Sequence, residues 1–202
     1  GTQGTFTFYS SAGEGDVKHT GGVQIPVEVK DGVVETYVSG PENTIRPADK
    51  DMKIPFKVRL QKDKNRAILE LPDRKVVLEL NKMSPWIELT FKPGLWIEVH
   101  GIAKFELKSL EPHFELYVTP INISPDQPAL PISHPAVYAT YLAEKFGPYA
   151  TLGLAEDTWA LNERVIDEDD FLDLTYTIHD EREKMFFDAL EKTQYGVLAC
   201  VF

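Results

Sequence analysis

Short runs of alternating apolar and charged residues dominate the first 119 positions. Residues 54–60, 86–91 and 114–119 are examples, and turn signals such as Asp31-Gly32 and Pro93-Gly94 separate the runs. Alternation with a period of two places one face of a strand on a core and the other toward solvent. Runs at this spacing, with a turn about every 8–12 residues, predict an antiparallel β-sandwich or barrel-like domain.

The pattern changes at a proline-rich stretch. Residues 119–135 contain five prolines, which exclude a helix and disfavour a central strand. We therefore divide the chain into a β domain over 1–125 and a helical segment over 126–202. Beyond the prolines, residues 136–146 have a helical pattern that ends at Gly147-Pro148, and 156–162 predict a short helix or turn.

The last part of the chain reads as a long amphipathic helix followed by an apolar run. Acidic residues at 167–170 suit the start of a helix, and Gly196 suits its end. One apolar stripe recurs at steps of three and four residues; it consists of Phe171, Leu174, Ile178, Met185 and Ala189.

The run over 197–202 has no polar alternation, as in a strand of a parallel α/β sheet that is covered on both faces. The predicted class is therefore α+β, with a terminal strand excised from an α/β core. Ligands of open α/β sheets bind just beyond the carboxyl ends of strands. We therefore expect the chain to be a piece of a larger protein. We also expect residues 197–202 to be covered by the β domain or by a second copy in a homodimer.

Charge divides the chain in the same place. The net charge is −11, of which residues 1–125 contribute −1 (16 Lys and Arg against 17 Asp and Glu) and residues 126–202 contribute −10 (5 against 15). A nucleic-acid surface needs clustered basic side chains, so none is expected. No run reaches the length of a membrane span, and no membrane partner is expected. Cys200 is the only cysteine, which excludes an intrachain disulfide and a zinc site built on cysteines.

Few residues offer candidate chemistry. No nucleotide-binding loop, His-Glu-x-x-His or Gly-x-Ser-x-Gly motif is present. Ser133 and His134 lie at a chain reversal beside a helix start, and Asp157 and Thr158 place an acid next to a hydroxyl and Trp159. The simpler interpretation of Asp157 is a helix N-cap. Trp86 and Trp96 fall in predicted strands and are expected in the core. The residues alone give no catalytic constellation.

Several blocks, in their order and spacing, resemble a branch of the type I phosphodiesterase/nucleotide pyrophosphatase family of the alkaline phosphatase superfamily. The blocks are residues 120–128 (PINISPDQP), 130–135 (LPISHP), 153–163 (GLAEDTWALNE) and 181–186 (EREKMF), with residues 1–9 (GTQGTFTFY) where that branch enters an inserted β-rich region. Through 23–110 only the strand pattern is similar.

The resemblance implies a doubly wound α/β catalytic core that holds two divalent metals, usually zinc, and a Thr or Ser nucleophile acting on a phosphate ester. In that family a metal-binding Asp directly follows the strand that corresponds to residues 197–202. None of the family's metal ligands or nucleophiles falls on this sequence. This chain would then be a non-catalytic part of a phosphohydrolase, with a cap-like β domain, and its partners would be the rest of the catalytic domain and the substrate. The candidates in this chain for facing the substrate site are Ser133, His134, Asp157 and Thr158.

An alternative of a different class is a non-catalytic β-sandwich module that binds a glycan, a peptide or a protein partner. The number of strands and the three tryptophans support this alternative.

Overall fold

The computed structural model describes residues 4–13, 21–42 and 51–201. Part of the 1–9 segment and Phe202 therefore lie outside the described residues. The strands are β1 (Thr7–Ser10), β2 (Val23–Pro26), β3 (Val29–Lys30), β4 (Val33–Glu42), β5 (Asp51–Gln61), β6 (Arg66–Glu70), β7 (Lys75–Glu79), β8 (Ile87–Gly94), β9 (Ile97–Ala103), β10 (Phe105–Ser109), β11 (Glu115–Val118) and β12 (Asn122–Ile123). The helices are α1 (Val137–Phe146), α2 (Thr158–Asn162) and α3 (Glu168–Lys192).

The strands form three sheets, and the predicted α+β class is confirmed. The orders are β3-β4-β5-β6-β7, β10-β11-β1-β2 and β12-β9-β8, and every pair is antiparallel except β1 with β2. The sheets do not close into a barrel. At the tip of the β3–β4 hairpin, Asp31 and Gly32 both have positive φ, as a two-residue type I′ turn requires.

One apolar core lies between the sheets. Phe56 of β5 makes edge-to-face contacts with Tyr9 of β1 (ring centroids 5.4 Å apart) and with Phe105 of β10 (6.2 Å). These rings join the five-stranded sheet to the four-stranded one, as in a sandwich, and aromatic pairs of this geometry stabilise beyond their buried area. The tight packing extends to Gly40, where an added Cβ would lie 2.4 Å from the Phe91 ring.

The helix α2 and the start of α3 cover the outer face of the four-stranded sheet. Phe6, Phe8 and Tyr117 point to this side and pack with Ala160 of α2 and with Val165. A strand that is covered on both faces can bury charged side chains as well as apolar ones. The expectation that the Glu and Lys positions of the strands face solvent is therefore wrong at β10, where Glu106 is 0% exposed.

The helix α3 begins as predicted but ends early. Asp167 and Asp170 form a capping box, in which each side chain accepts from the other residue's backbone N–H. This arrangement satisfies donors that would otherwise lack partners at the helix start. The helix ends at Lys192 with Thr193 as its C-cap, so the prediction that Gly196 ends it is wrong.

The predicted terminal strand is not formed. Residues 197–201 have no regular structure, and Val197 is 96% exposed. A strand requires a neighbour for its backbone hydrogen bonds, and none of the described strands pairs with this segment. The expectation that the β domain covers this run is therefore wrong for its described residues, and cover by a second copy stays a prediction.

Candidate functional site

A buried polar seam fastens the helices onto the four-stranded sheet. We use this name for Glu106, Lys108 and Tyr117 of the sheet together with Asp157 and Asp170 of the helical segment. Lys108 Nζ donates to Glu106 Oε1 at 2.9 Å and also to Asp170. Tyr117 Oη donates to Asp157 Oδ2 at 2.7 Å. The seam ties the start of α2 and the start of α3 to neighbouring strands.

Glu106 is the least satisfied member of the seam. Its Oε2 is buried and has no hydrogen-bond partner among the described residues. Burial raises the pKa of Glu106 to about 7, with Asp170 adding to the rise and Lys108 opposing it. Burial lowers the pKa of Lys108, but bonds to Asp170 and Glu106 outweigh burial and raise it overall. Glu106 therefore binds a proton near neutral pH while Lys108 stays charged.

Asp157 serves as an N-cap, which was the simpler interpretation of its position. The residue is 2% exposed, and its Oδ1 accepts from Ala160 N at 2.9 Å while Oδ2 accepts from Tyr117. Burial raises the pKa of Asp157 even though these bonds lower it in part. Thr158, the first residue of α2, is exposed beside it.

Ser133 and His134 lie at the start of a different helix, α1. Ser133 Oγ accepts from Ala139 N at 3.0 Å and lies 2.8 Å from the carbonyl of Pro135, to which it donates. These bonds hold the start of α1, and His134 is exposed next to it. The four sequence candidates thus fall at the N-termini of two helices. The side chains of Ser133 and Asp157 have structural hydrogen bonds, and whether any of the four faces a substrate stays a prediction.

A second attachment joins the middle of α3 to the β domain. Trp86 Nε1 donates to Glu181 Oε1 at 2.7 Å, and Ala150 N donates to Glu181 Oε2 at 2.9 Å. Lys104 Nζ lies 5.0 Å from the centre of the Trp86 ring. Burial raises the pKa of Glu181 and lowers that of Lys104. Trp86 precedes β8 and is half-buried, so it is an anchor for the helix, which sequence reasoning missed.

The end of α3 is held against α1 by Asp188. This carboxylate is 4% exposed and accepts from Lys145, Lys192 and Tyr141. Bonds from Lys145 and Lys192 lower the pKa of Asp188 to about 2. The pairing of Asp188 with Lys192, four residues apart on the helix, is visible in the sequence, whereas the approach of Lys145 from α1 is not.

The opposite side of α3 carries a second apolar stripe, whose side chains are about half exposed in the described structure. We call it the outer stripe; its members are Leu172 (45% exposed), Tyr176 (63%), Phe187 (51%) and Leu190 (48%). At 100° per residue these positions fall within an arc of about 60°, roughly opposite Leu174 and Ile178. The predicted inner stripe is confirmed, since Leu174 and Ile178 are buried and Met185 packs on α1. A helix with two apolar faces is suited to lie between two layers.

Two surface hollows flank the β8–β9 hairpin. One, of about 520 Å³, lies between β5 and β8, with an apolar floor that includes Ile54 and Leu89 and with Lys53, Glu88 and Glu98 at its sides. The other, of about 410 Å³, is lined by His100, Asn122, Thr7 and mostly apolar or glycine positions. Their volumes fall in the range of small-molecule pockets.

The metals implied by the family resemblance find no ligand set here. Among residues 4–13, 21–42 and 51–201, no three His, Cys, Asp or Glu side chains are grouped to hold a metal. None of the helices in the described ranges has the length and apolar character to cross a membrane.

Comparison with known proteins leaves the family resemblance as an expectation. No protein-family model matches the chain, no curated protein matches its sequence, and no solved structure matches its fold.

Proposed function

We propose that the chain is a non-catalytic part of a metal-dependent phosphohydrolase similar to the type I phosphodiesterases and nucleotide pyrophosphatases. In this proposal the β domain is a cap that shapes or gates the substrate site. The helical segment returns the chain to an α/β catalytic core that supplies two divalent metals. The proposal rests on the family resemblance together with the geometry of α3.

The observation that carries the proposal is the outer stripe of α3. The inner face of the helix is already occupied by the sheet, α1 and residues 150–155. Along the helix the outer stripe falls into two groups, Leu172 with Tyr176 and Phe187 with Leu190, and exposed Tyr195 and Val197 lie just beyond the second group. A helix followed closely by an apolar strand is the repeating unit of doubly wound sheets, where the helix packs on the sheet that the strand joins. Residues 197–202 would become a strand only when that sheet is present.

The position of the β domain is consistent with an insert. β1 and β11 are antiparallel neighbours, with Thr7 opposite Val118. The chain therefore enters and leaves the β domain at adjacent points, which lets a host domain carry the insert without distortion. The polar seam and the Trp86–Glu181 bond then fix the cap on the helical segment.

The coding sequence that follows position 202 gives a direct test. We expect an Asp codon immediately after Phe202 and a His codon a few positions later, because the family places metal ligands there. A different residue at that position, with no Asp- and His-rich segment downstream, would contradict the assignment to this family.

A biochemical test uses a longer polypeptide that carries both this chain and the metal ligands. Phe187→Asp with Leu190→Asp should abolish its hydrolysis of bis(p-nitrophenyl) phosphate, because the sheet can no longer pack on the outer stripe. Lys184→Ala is the control, since this exposed residue lies off the stripe. Equal activity in the double variant and the control would reject docking through the outer stripe.

A non-catalytic binding module is the second candidate. The hollow of about 520 Å³ between β5 and β8 favours it, because it combines an apolar floor with charged sides. This candidate predicts that the chain binds a ligand in this hollow on its own, with no phosphohydrolase partner present.

A further inference from the structure

The tip of the β8–β9 hairpin carries the most exposed tryptophan of the described chain. Leu95 is 83% exposed, Trp96 95% and Ile97 45%, and we call these three residues the apolar tip. The expectation that Trp96 lies in the core is therefore wrong. The pairing of β8 with β9 shifts between Phe91 and Gly94, so β8 continues through Pro93 and Gly94 and the turn falls on Leu95 and Trp96.

The apolar tip lies far from the surface used in the proposed function. Trp86, just before β8, is bonded to Glu181 of α3. β8 then runs eight residues to Gly94, which at 3.3 Å per residue carries the chain roughly 25 Å from that attachment. A domain docked on the outer stripe of α3 would leave the apolar tip free.

Charge at the base of the tip is balanced. Lys92 and Glu98, which flank the tip on the two strands, form an ion pair at 3.2 Å. The β domain as a whole carries only −1, since the excess negative charge lies in residues 126–202. The tip therefore meets little repulsion at a headgroup surface, but it has no basic cluster to select anionic lipids.

The shape of the tip favours lipid over a protein partner. Protein-binding hot spots lie at the centre of a patch, within a ring of contacts that exclude water. Here the apolar side chains form a narrow projection. Glu98 directly follows it on β9, and Lys92 lies three residues before it on β8. A tryptophan at a membrane–water interface needs no such surrounding contacts. Its indole resides among the lipid headgroups, while neighbouring aliphatic side chains enter the acyl boundary.

We propose that the apolar tip inserts into the interfacial region of a phospholipid bilayer and anchors the β domain reversibly at a membrane surface. This differs from the sequence-based expectation of no membrane partner, which rested on the absence of a spanning run. Insertion of a few side chains into an interface requires no spanning run. The proposal does not depend on the proposed hydrolase function.

Co-sedimentation with sucrose-loaded vesicles of phosphatidylcholine tests it. The wild-type chain should partition onto the vesicles, and Leu95→Ser with Trp96→Ser should reduce the partition coefficient at least tenfold. Both residues are exposed, so circular dichroism should be unchanged. Tyr195→Ser with Val197→Ser is a control that removes equally exposed apolar side chains (93% and 96%) from the other part of the chain, and its partition should match that of the wild type.

Several results would overturn the proposal. The proposal is wrong if the wild-type chain does not bind the vesicles. It is also wrong if the tip variant binds them as well as the wild type, or if the Tyr195/Val197 control loses binding. Binding only to vesicles that contain phosphatidylserine, abolished by 0.5 M salt, would indicate an electrostatic surface rather than the tip. Quenching of tryptophan emission by brominated phosphatidylcholine should disappear in Trp96→Phe, and persistence of the quenching would place another tryptophan in the lipid.

Discussion

Replacing Glu106 with glutamine should stabilise the protein at high pH and leave its stability little changed at low pH. Glutamine keeps the shape of protonated Glu106 and its capacity to bond with neighbours, but it cannot ionise. In the wild type, loss of the Glu106 proton leaves two carboxylates, Glu106 and Asp170, around the single ammonium of Lys108. Glu106 is also fully buried, so its charge lacks solvent.

The sign and size follow from the pKa. The native pKa of Glu106 is about 7, against 4.5 for the ordinary group, so between these values the native state holds more protons than the unfolded state. The free energy of unfolding contributed by Glu106 is then fully present below pH 4.5 and falls as pH rises through 7. At about 1.4 kcal/mol per pKa unit, the difference in unfolding free energy should change by about 3 kcal/mol at most.

Urea unfolding of both proteins between pH 4.5 and 9, followed by circular dichroism, measures this difference. The stability of Glu106→Gln relative to wild type should rise by roughly 1–3 kcal/mol across that range. Glu79→Gln is a control at an exposed glutamate that pairs with Lys82, where we expect less than about 0.5 kcal/mol at every pH. A pH-independent difference for Glu106→Gln would refute the reasoning. A relative gain by the wild type with rising pH would show that Glu106 acts as a stable ion-pair partner.

Three further changes test other parts of the structure. Asp157→Ala should lower the free energy of unfolding by roughly 1–3 kcal/mol, because it removes the cap of α2 and the acceptor for buried Tyr117. Urea unfolding measures this loss. An unchanged urea midpoint would show that neither hydrogen bond contributes to stability. Gly40→Ala should destabilise by about 1–3 kcal/mol through overpacking against Phe91. Gly13→Ala, where an added Cβ would meet no atom of the described residues within 4 Å, should not, and equal thermal midpoints would contradict the close contact. The pKa of Asp188 is lowered, so the stability that this carboxylate contributes is present above pH 3.8 and is lost as pH falls toward 2. Asp188→Asn should therefore weaken the loss of stability at acid pH. An identical acid unfolding transition would exclude a stabilising role for the ion pairs of Asp188 with Lys145 and Lys192.

Local sequence rules predicted the elements well. Strand alternation, the Asp31-Gly32 turn and the Asp167 cap depend on neighbours within a few residues, so the sequence carries them directly. The inner stripe of α3 follows from the same kind of periodicity. The outer stripe was missed, because the step of eleven positions from Tyr176 to Phe187 breaks the three- and four-residue rhythm.

The buried polar seam could not be predicted in the same way. Alternation in β10 shows that Glu106 and Phe105 face opposite sides, but it does not show that helices cover the outer side. The prediction that Trp96 is buried was wrong for a related reason. The pairing of β8 with β9 shifts near Pro93, and this shift moves the turn two residues along the chain. Both errors depend on contacts distant in sequence or on register, which single-sequence patterns do not determine.

The most direct test of the central claim measures metal-dependent hydrolysis of bis(p-nitrophenyl) phosphate by this chain alone and by a longer polypeptide that joins it to the proposed catalytic core. We predict that the longer polypeptide turns over substrate with zinc and loses activity to a chelator, while the 202-residue chain neither retains zinc nor hydrolyses the diester. Zinc-dependent turnover by the chain alone, or its absence from the longer polypeptide, would contradict the account.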